Sequence, residues 1–119
     1  MEMQDKMRIV QELVPGRQIT LAHIIANPDP ILYQKLGLDP KLDYQKAAIG
    51  VMTISPAETA VITADIALKA SGAELGFVDR FSGTLIITGT VAEVEASFNA
   101  IADYFRNILK FAVCDVTRT

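Results

Sequence analysis

Apolar and polar positions change their period several times along the chain, and each change marks an element. Residues 47–54, Ala-Ala-Ile-Gly-Val-Met-Thr-Ile, form an unbroken apolar run bounded by Lys46 and by Ser55-Pro56. Its length predicts a buried strand rather than a helix. In Ser55-Pro56-Ala57-Glu58, Ser55 is placed to cap the next helix, Glu58 to reach back to its backbone, and Pro56 to occupy the first helical position. Ala57, Ala60, Val61, Ala64 and Ala67 or Leu68 then recur at helical spacing as far as about Ser71, with Gly72 placed to end the helix in the left-handed conformation. Small side chains dominate that face, which predicts a helix lying close to a sheet. Residues 73–81 and 84–88 read as a hairpin closing at Ser82-Gly83.

Ahead of this unit, residues 18–26 alternate Ile19, Leu21, His23 and Ile25 with Thr20, Ala22, Ile24 and Ala26, a strand broken by Asn27-Pro28-Asp29-Pro30. Asp29 and Pro30 begin a short helix over 31–36 that stops at Gly37, and residues 38–46 read as a polar connection. Still earlier, Arg8, Ile9, Val10, Gln11, Glu12, Leu13 and Val14 form a short strand candidate ended by Pro15-Gly16. Such a strand is marginal in water without partners. Behind the unit, Thr90-Val91-Ala92-Glu93 is a capping box, and Val91, Val94, Phe98, Ile101, Phe105 and Ile108 make one apolar helical stripe. Residues 111–116 fit either a final strand or an extended arm. The segment from 47 onward lacks one strand of a four-stranded α+β sheet, and residues 18–26 are the natural supplier.

At 119 residues the chain is one domain with a modest core. Half of its residues are apolar and its mean hydropathy is positive, so either the core is well filled or other subunits cover part of the surface. The net charge of −3, with no basic run, argues against nucleic-acid binding. A lone Cys114 forms no intrachain disulfide. The charged start lacks a signal peptide's apolar core, and no apolar run is long enough to span a bilayer, so a soluble intracellular protein is expected.

Catalytic chemistry finds little footing. His23 is the only histidine, set among apolar neighbours, and no second histidine or cysteine stands at ligand spacing, so a structural or interface role is favoured over metal binding or catalysis. Cys114 reads as a small packed thiol, not a nucleophile. Asp79 and Asp115 belong to separate segments, and nothing in the sequence makes them converge. The glycines form no nucleotide-binding pattern. No catalytic residue, metal or cofactor is therefore assigned. The loop Asp79-Arg80-Phe81-Ser82-Gly83 is the best functional candidate, although on residue types alone it is a hairpin connection whose Gly83 supplies an unusual backbone angle.

The runs Ala48-Ile49-Gly50-Val51-Met52-Thr53, Gly76-Phe77-Val78-Asp79-Arg80-Phe81-Ser82-Gly83 and Cys114-Asp115-Val116-Thr117-Arg118-Thr119, together with the small-residue helix and Val14-Pro15-Gly16-Arg17-Gln18-Ile19-Thr20-Leu21-Ala22-His23, resemble bacterial microcompartment shell proteins. The resemblance covers nearly the whole chain and is to the circularly permuted, hexamer-forming members of the ethanolamine- and propanediol-utilisation type. It implies a ferredoxin-like, four-stranded antiparallel sheet with helices, in which the usual C-terminal strand and short helix have moved to the front. It divides the chain into an N-terminal extension, residues 1–17, and a permuted shell domain, residues 18–119. Six copies of the strand Arg8 to Val14 would form a β-barrel over the ring axis, which removes their unpaired edges.

In such a ring Arg80, Phe81, Ser82 and Gly83 lie beside the central pore. Phe81 stands where shell proteins commonly carry a smaller aliphatic residue, which, with the barrel, argues against an open passage. The implied function is structural: hexamers tile a shell in the cytoplasm around metabolic enzymes and limit the escape of intermediates. The implied partners are five further copies, other shell proteins and the encapsulated enzymes, with no nucleic acid and no membrane. Lys46, Lys69 and Arg80 are candidates for contacts at the edges and between subunits. The competing reading is a small α+β regulatory domain that binds a metabolite at a dimer interface, since fold alone does not fix function.

Overall fold

The computed structural model describes residues 16–38 and 47–119. Strand β1 is Gln18–Ile25, helix α1 Ile31–Lys35, strand β2 Ala48–Ser55, helix α2 Ala60–Ala70, strands β3 and β4 Glu74–Asp79 and Thr84–Gly89, helix α3 Val91–Asn107, and strands β5 and β6 Ala112–Val113 and Thr117–Arg118. The sheet runs β3-β4-β2-β1, every neighbour antiparallel. Residues 18–25 do supply the missing strand, pairing with β2 from Gln18↔Ser55 to Ile25↔Ile49. The expected barrel strand, residues 8–14, lies outside the described residues. The sheet they form is open, with β3 at one edge.

The tail proves to be an edge strand in two pieces. β5 and β6 both run parallel to β1, with Gln18↔Ala112 and His23↔Thr117 as partners. Both pairs differ by 94 positions (112 − 18 and 117 − 23), so one register carries across the interruption. The gap falls opposite the irregularity of β1 between Ile19 and Leu21, where its register against β2 also shifts. A bulge turns ladder groups out of line and ends regular pairing locally.

Helices α2 and α3 cover one face of the sheet. Ile19, Ala22, Ile24, Ala48, Met52, Ile54, Leu85 and Ile87 meet Ala60, Ala64 and Ala67 of α2 and Val94, Phe98, Ile101 and Phe105 of α3. On the other face, Leu38, Ile49 and Ile86 gather a smaller cluster with Ile25, Leu32, Tyr33 and Val51. Tyr33 also donates its hydroxyl to the Ala47 carbonyl, and burial pushes its phenol up. Gly50 sets the spacing of the main layer. A Cβ there would sit 2.6 Å from a Val94 methyl and 2.8 Å from the tip of Phe98, so the missing side chain is what lets α3 reach β2.

The helix ends refine the expected pattern. Thr90 accepts from the Glu93 N–H and Glu93 returns a carboxylate to the Thr90 N–H, the reciprocal cap that sequence predicts. Asp29 likewise accepts from the Ile31 N–H, Pro30 is helical, and Gly37 takes φ 69° just after α1. The start of α2 differs. The Ser55–Pro56 peptide is cis and Pro56 is extended (ψ 151°), so it does not open the helix, and no side chain caps it. A 3₁₀ turn, Ala57–Thr59, comes first, with the Thr59 N–H and hydroxyl both donating to the Pro56 carbonyl.

Nor does Gly72 end α2 in the left-handed region. Ser71 ends it in extended backbone, its hydroxyl accepting from the Ala73 N–H and donating to the Glu93 carbonyl. The α3 stripe also ends early. Val94, Ser97, Phe98, Ile101, Ala102 and Phe105 are buried, but Ile108 is 62% exposed because the helix has already ended at Asn107.

Phe98→Ala should cost about 3–5 kcal/mol, as expected for emptying a closed aromatic site. Gly50→Ala should cost about 1–3 kcal/mol by overpacking the same contact. Chemical denaturation of the double variant should show a loss smaller than the sum of the two, because each change relieves part of the other's defect.

Candidate functional site

The β3–β4 hairpin tip is built around one carboxylate. Asp79 ends β3, accepting from the Phe81 N–H at 2.9 Å through Oδ1 and from the Ser82 hydroxyl at 2.7 Å through Oδ2. Those two bonds hold its carboxyl below the usual carboxylate range. The Gly83 N–H donates to the Asp79 carbonyl at 2.9 Å, and the Gly83 carbonyl accepts from the Ile54 N–H at 2.9 Å, tying the tip to the end of β2. Gly83 has φ 75°, and a Cβ would lie 2.2 Å from the Ile54 oxygen, so both conformation and space demand glycine. With Asp79 engaged, the tip presents Arg80 and Phe81 outward. The Arg80 guanidinium lies 4.9 Å from the Phe81 ring centre, and Phe81 is 80% exposed. The four candidate residues, Arg80, Phe81, Ser82 and Gly83, thus share one protruding turn.

A second surface feature lies along α2. Its buried residues are Ala60, Thr63, Ala64 and Ala67, whereas Val61, at 53% exposure, Ile62 and Leu68 face solvent. Of the expected face, Val61 lies outside, and of the alternatives Ala67 and Leu68 it is Ala67 that is buried. The larger side chains point out because the small face is the one that fits against the sheet. Lys69 at its end pairs with Asp65 at 2.9 Å. On α3, Tyr104 is also exposed.

The polar candidates separate. His23 lies between two hydroxyls of the tail, Nδ1 2.6 Å from Thr117 Oγ1 and Nε2 2.9 Å from Thr119 Oγ1, a structural role. Cys114 is half-buried; burial pushes its thiol up, and Asp115 adds to the shift, the reverse of what a nucleophile needs. Asp79 stands at the β3 edge and Asp115 between β5 and β6 beyond the opposite edge, so they do not converge. Among the described residues no group of His, Cys, Asp or Glu side chains is placed to hold a metal, and no helix is long and apolar enough to cross a membrane.

Sequence reasoning missed the cleft between α3 and the tail, lined by Ile24, Glu95, Asn99, Val116 and Arg118, in which Arg118 and Glu95 approach to 3.8 Å. Its walls come from segments far apart in sequence, and the parallel placement of the tail, on which the cleft depends, has no signal in the residue pattern.

Comparison with known proteins gives concordant matches. The BMC domain family matches residues 48–117. The bacterial microcompartment shell protein PduU of Salmonella typhimurium is 44% identical over 112 residues, spanning 94% of this chain and 93% of that protein. The shell protein EutS of Escherichia coli K12 is 44% identical over 115 residues, spanning 97% and 99%. Among solved structures, a CutR flat hexamer chain superposes with a TM-score of 0.81 at 44% identity, covering 89% of this chain and 94% of that one. CutR in a dimer with a domain swap superposes at 0.62, with 43% identity and coverage of 87% and 100%.

The Asp79 carboxylate should titrate below the ordinary aspartate range, read by carbon NMR of the side-chain carboxyl. Ser82→Ala should move it back toward that range. Since the folded value is the depressed one, the ordering Asp79 gives the tip is full above the unfolded value and is lost as pH falls through the folded one. Asp79→Asn should remove that dependence.

Proposed function

The chain belongs to the BMC-domain family of bacterial microcompartment shell proteins, and on that premise we propose that it assembles as a closed ring of six copies that tiles a shell around metabolic enzymes and limits the escape of their intermediates. The protein is a structural component of the shell and not an enzyme. The observation that carries the ring is α2, which packs its small side chains inward and leaves Val61, Ile62 and Leu68 outside. A helix apolar on both sides belongs in an interior, and here a neighbouring subunit supplies it. CutR, similar over most of this chain, forms a flat hexamer. A repeated head-to-tail contact that closes on itself makes such a ring, each contact covering at least about 1,000 Å².

In this reading the start of the family match supports the permutation. It starts at Ala48, so β1 and α1 precede it while β1 fills a central place in the sheet. Residues 1–17 then form the extension and 18–119 the permuted domain, with Arg8 to Val14 as the barrel strand over the ring. The tip residues Arg80, Phe81, Ser82 and Gly83 face the axis, where six exposed Phe81 rings narrow the opening. Lys69 serves contacts between rings in the cytoplasmic shell, and the enclosed enzymes are further partners. A second arrangement, in which one chain lends a segment to another, is the counterpart of the swapped CutR dimer.

Native mass measurement at micromolar concentration should give a hexamer. Leu68→Asp should shift that population toward smaller species while leaving far-ultraviolet circular dichroism unchanged. A stable monomer of the unaltered protein would refute the ring.

A further inference from the structure

We propose that residues 111–119 are an exchangeable arm, which leaves its own β1 and pairs with β1 of a second copy, turning about Lys110. The proposal rests on the segment-lending arrangement inferred above and names the segment. Lys110 has φ 60° and is the one non-glycine among the described residues with left-handed backbone. L side chains crowd the backbone there, so this geometry carries a steric cost that the docked arm helps to offset. Immediately beyond it the arm docks. The Phe111 N–H donates to the Phe105 carbonyl at 2.8 Å, its ring meets Phe105 edge-on at 4.8 Å, and the Ala112 N–H donates to the Arg17 carbonyl at 3.1 Å. At the far end, Thr119 exchanges backbone bonds with Ile24 and Ala26 while Thr117 and Thr119 grip His23.

These contacts form a seat made of β1 with its flanking residues and the end of α3, and a second copy presents an identical seat. Exchange therefore changes which chain fills the seat while every contact is kept, and the balance is set by the turn at Lys110. β1 is a poorer candidate for exchange, since its removal breaks the pairing with β2 on one side and with the tail on the other. The arm breaks pairing on one side only.

The test replaces the partners His23 and Thr117 by cysteine in a Cys114→Ser background. The two positions face each other in register, and their side chains already meet. After mild oxidation and denaturation, an arm in its own seat gives monomers closed by an intrachain disulfide. An exchanged arm gives covalent multimers. Lys110→Ile, which disfavours the left-handed turn, should raise the multimer share, and Lys110→Gly, which accepts it, should lower it. The ratio between the two should be on the order of tenfold. Intrachain product alone in both hinge variants, or an equal multimer share in both, overturns the proposal. The native mass of the reduced proteins separately reports the ring, so a failed ring and a failed exchange give different records.

Discussion

Helix α3 can approach the sheet only where a side chain is absent. At Gly50 the backbone of β2 lies under Val94 and Phe98, and even a methyl group would meet both at well under contact distance. That approach lets the sheet side chains Ala48 and Met52 and the helix residues Val94, Phe98, Ile101 and Phe105 close one continuous core. Burying each of the larger apolar side chains contributes about 1.5–3 kcal/mol before conformational entropy is subtracted. In a chain of this size the layers have little margin to separate and remain packed.

The same demand for close packing explains the exterior. Alanines and a threonine fit between α2 and the sheet, which leaves the helix's larger aliphatic groups outside. An isolated subunit thus exposes apolar surface that a folded monomer normally covers, and repetition of the chain is the economical way to cover it. In the proposed ring, the shell role and the tight core are linked through one helix. Beside the 3₁₀ turn that leads into this helix, the hairpin tip spends its carboxylate on its own backbone and on Ser82, leaving a stacked cation and aromatic ring to face outward.

Much of this is legible in the residues, for reasons that differ from element to element. The β2 run, the Thr90–Glu93 box and the α3 stripe are local patterns with local causes, and they fold as read except at Ile108, where the stripe runs past the end of the helix. The supply of β1 to the sheet is legible because the remaining elements leave a place for one more strand. The start of α2 misleads because a capping pattern describes residue types and not the backbone of Pro56, whose extended geometry postpones the helix. Val61 misleads, and Ala67 and Leu68 stay undecided, because helical spacing reports period, whereas the choice of buried face is made by fit against the sheet. The tail is the least legible part. Its parallel place beside β1 is decided by contacts with Phe105 and with Arg17 and His23, the last two distant in sequence. The hairpin tip lies between: its turn chemistry is plain in Asp79, Ser82 and Gly83, but the stacking of Arg80 on Phe81 is a property of the folded turn.

The pair of threonines around His23 has a further consequence. A hydroxyl rotates freely and either gives or takes a hydrogen bond. A neutral imidazole offers one donor and one acceptor and finds a match at each nitrogen. A charged imidazolium offers two donors, and both threonine oxygens can receive them. The only histidine in the chain is therefore held at both ring nitrogens, so the tail orients the ring without demanding one tautomer of it.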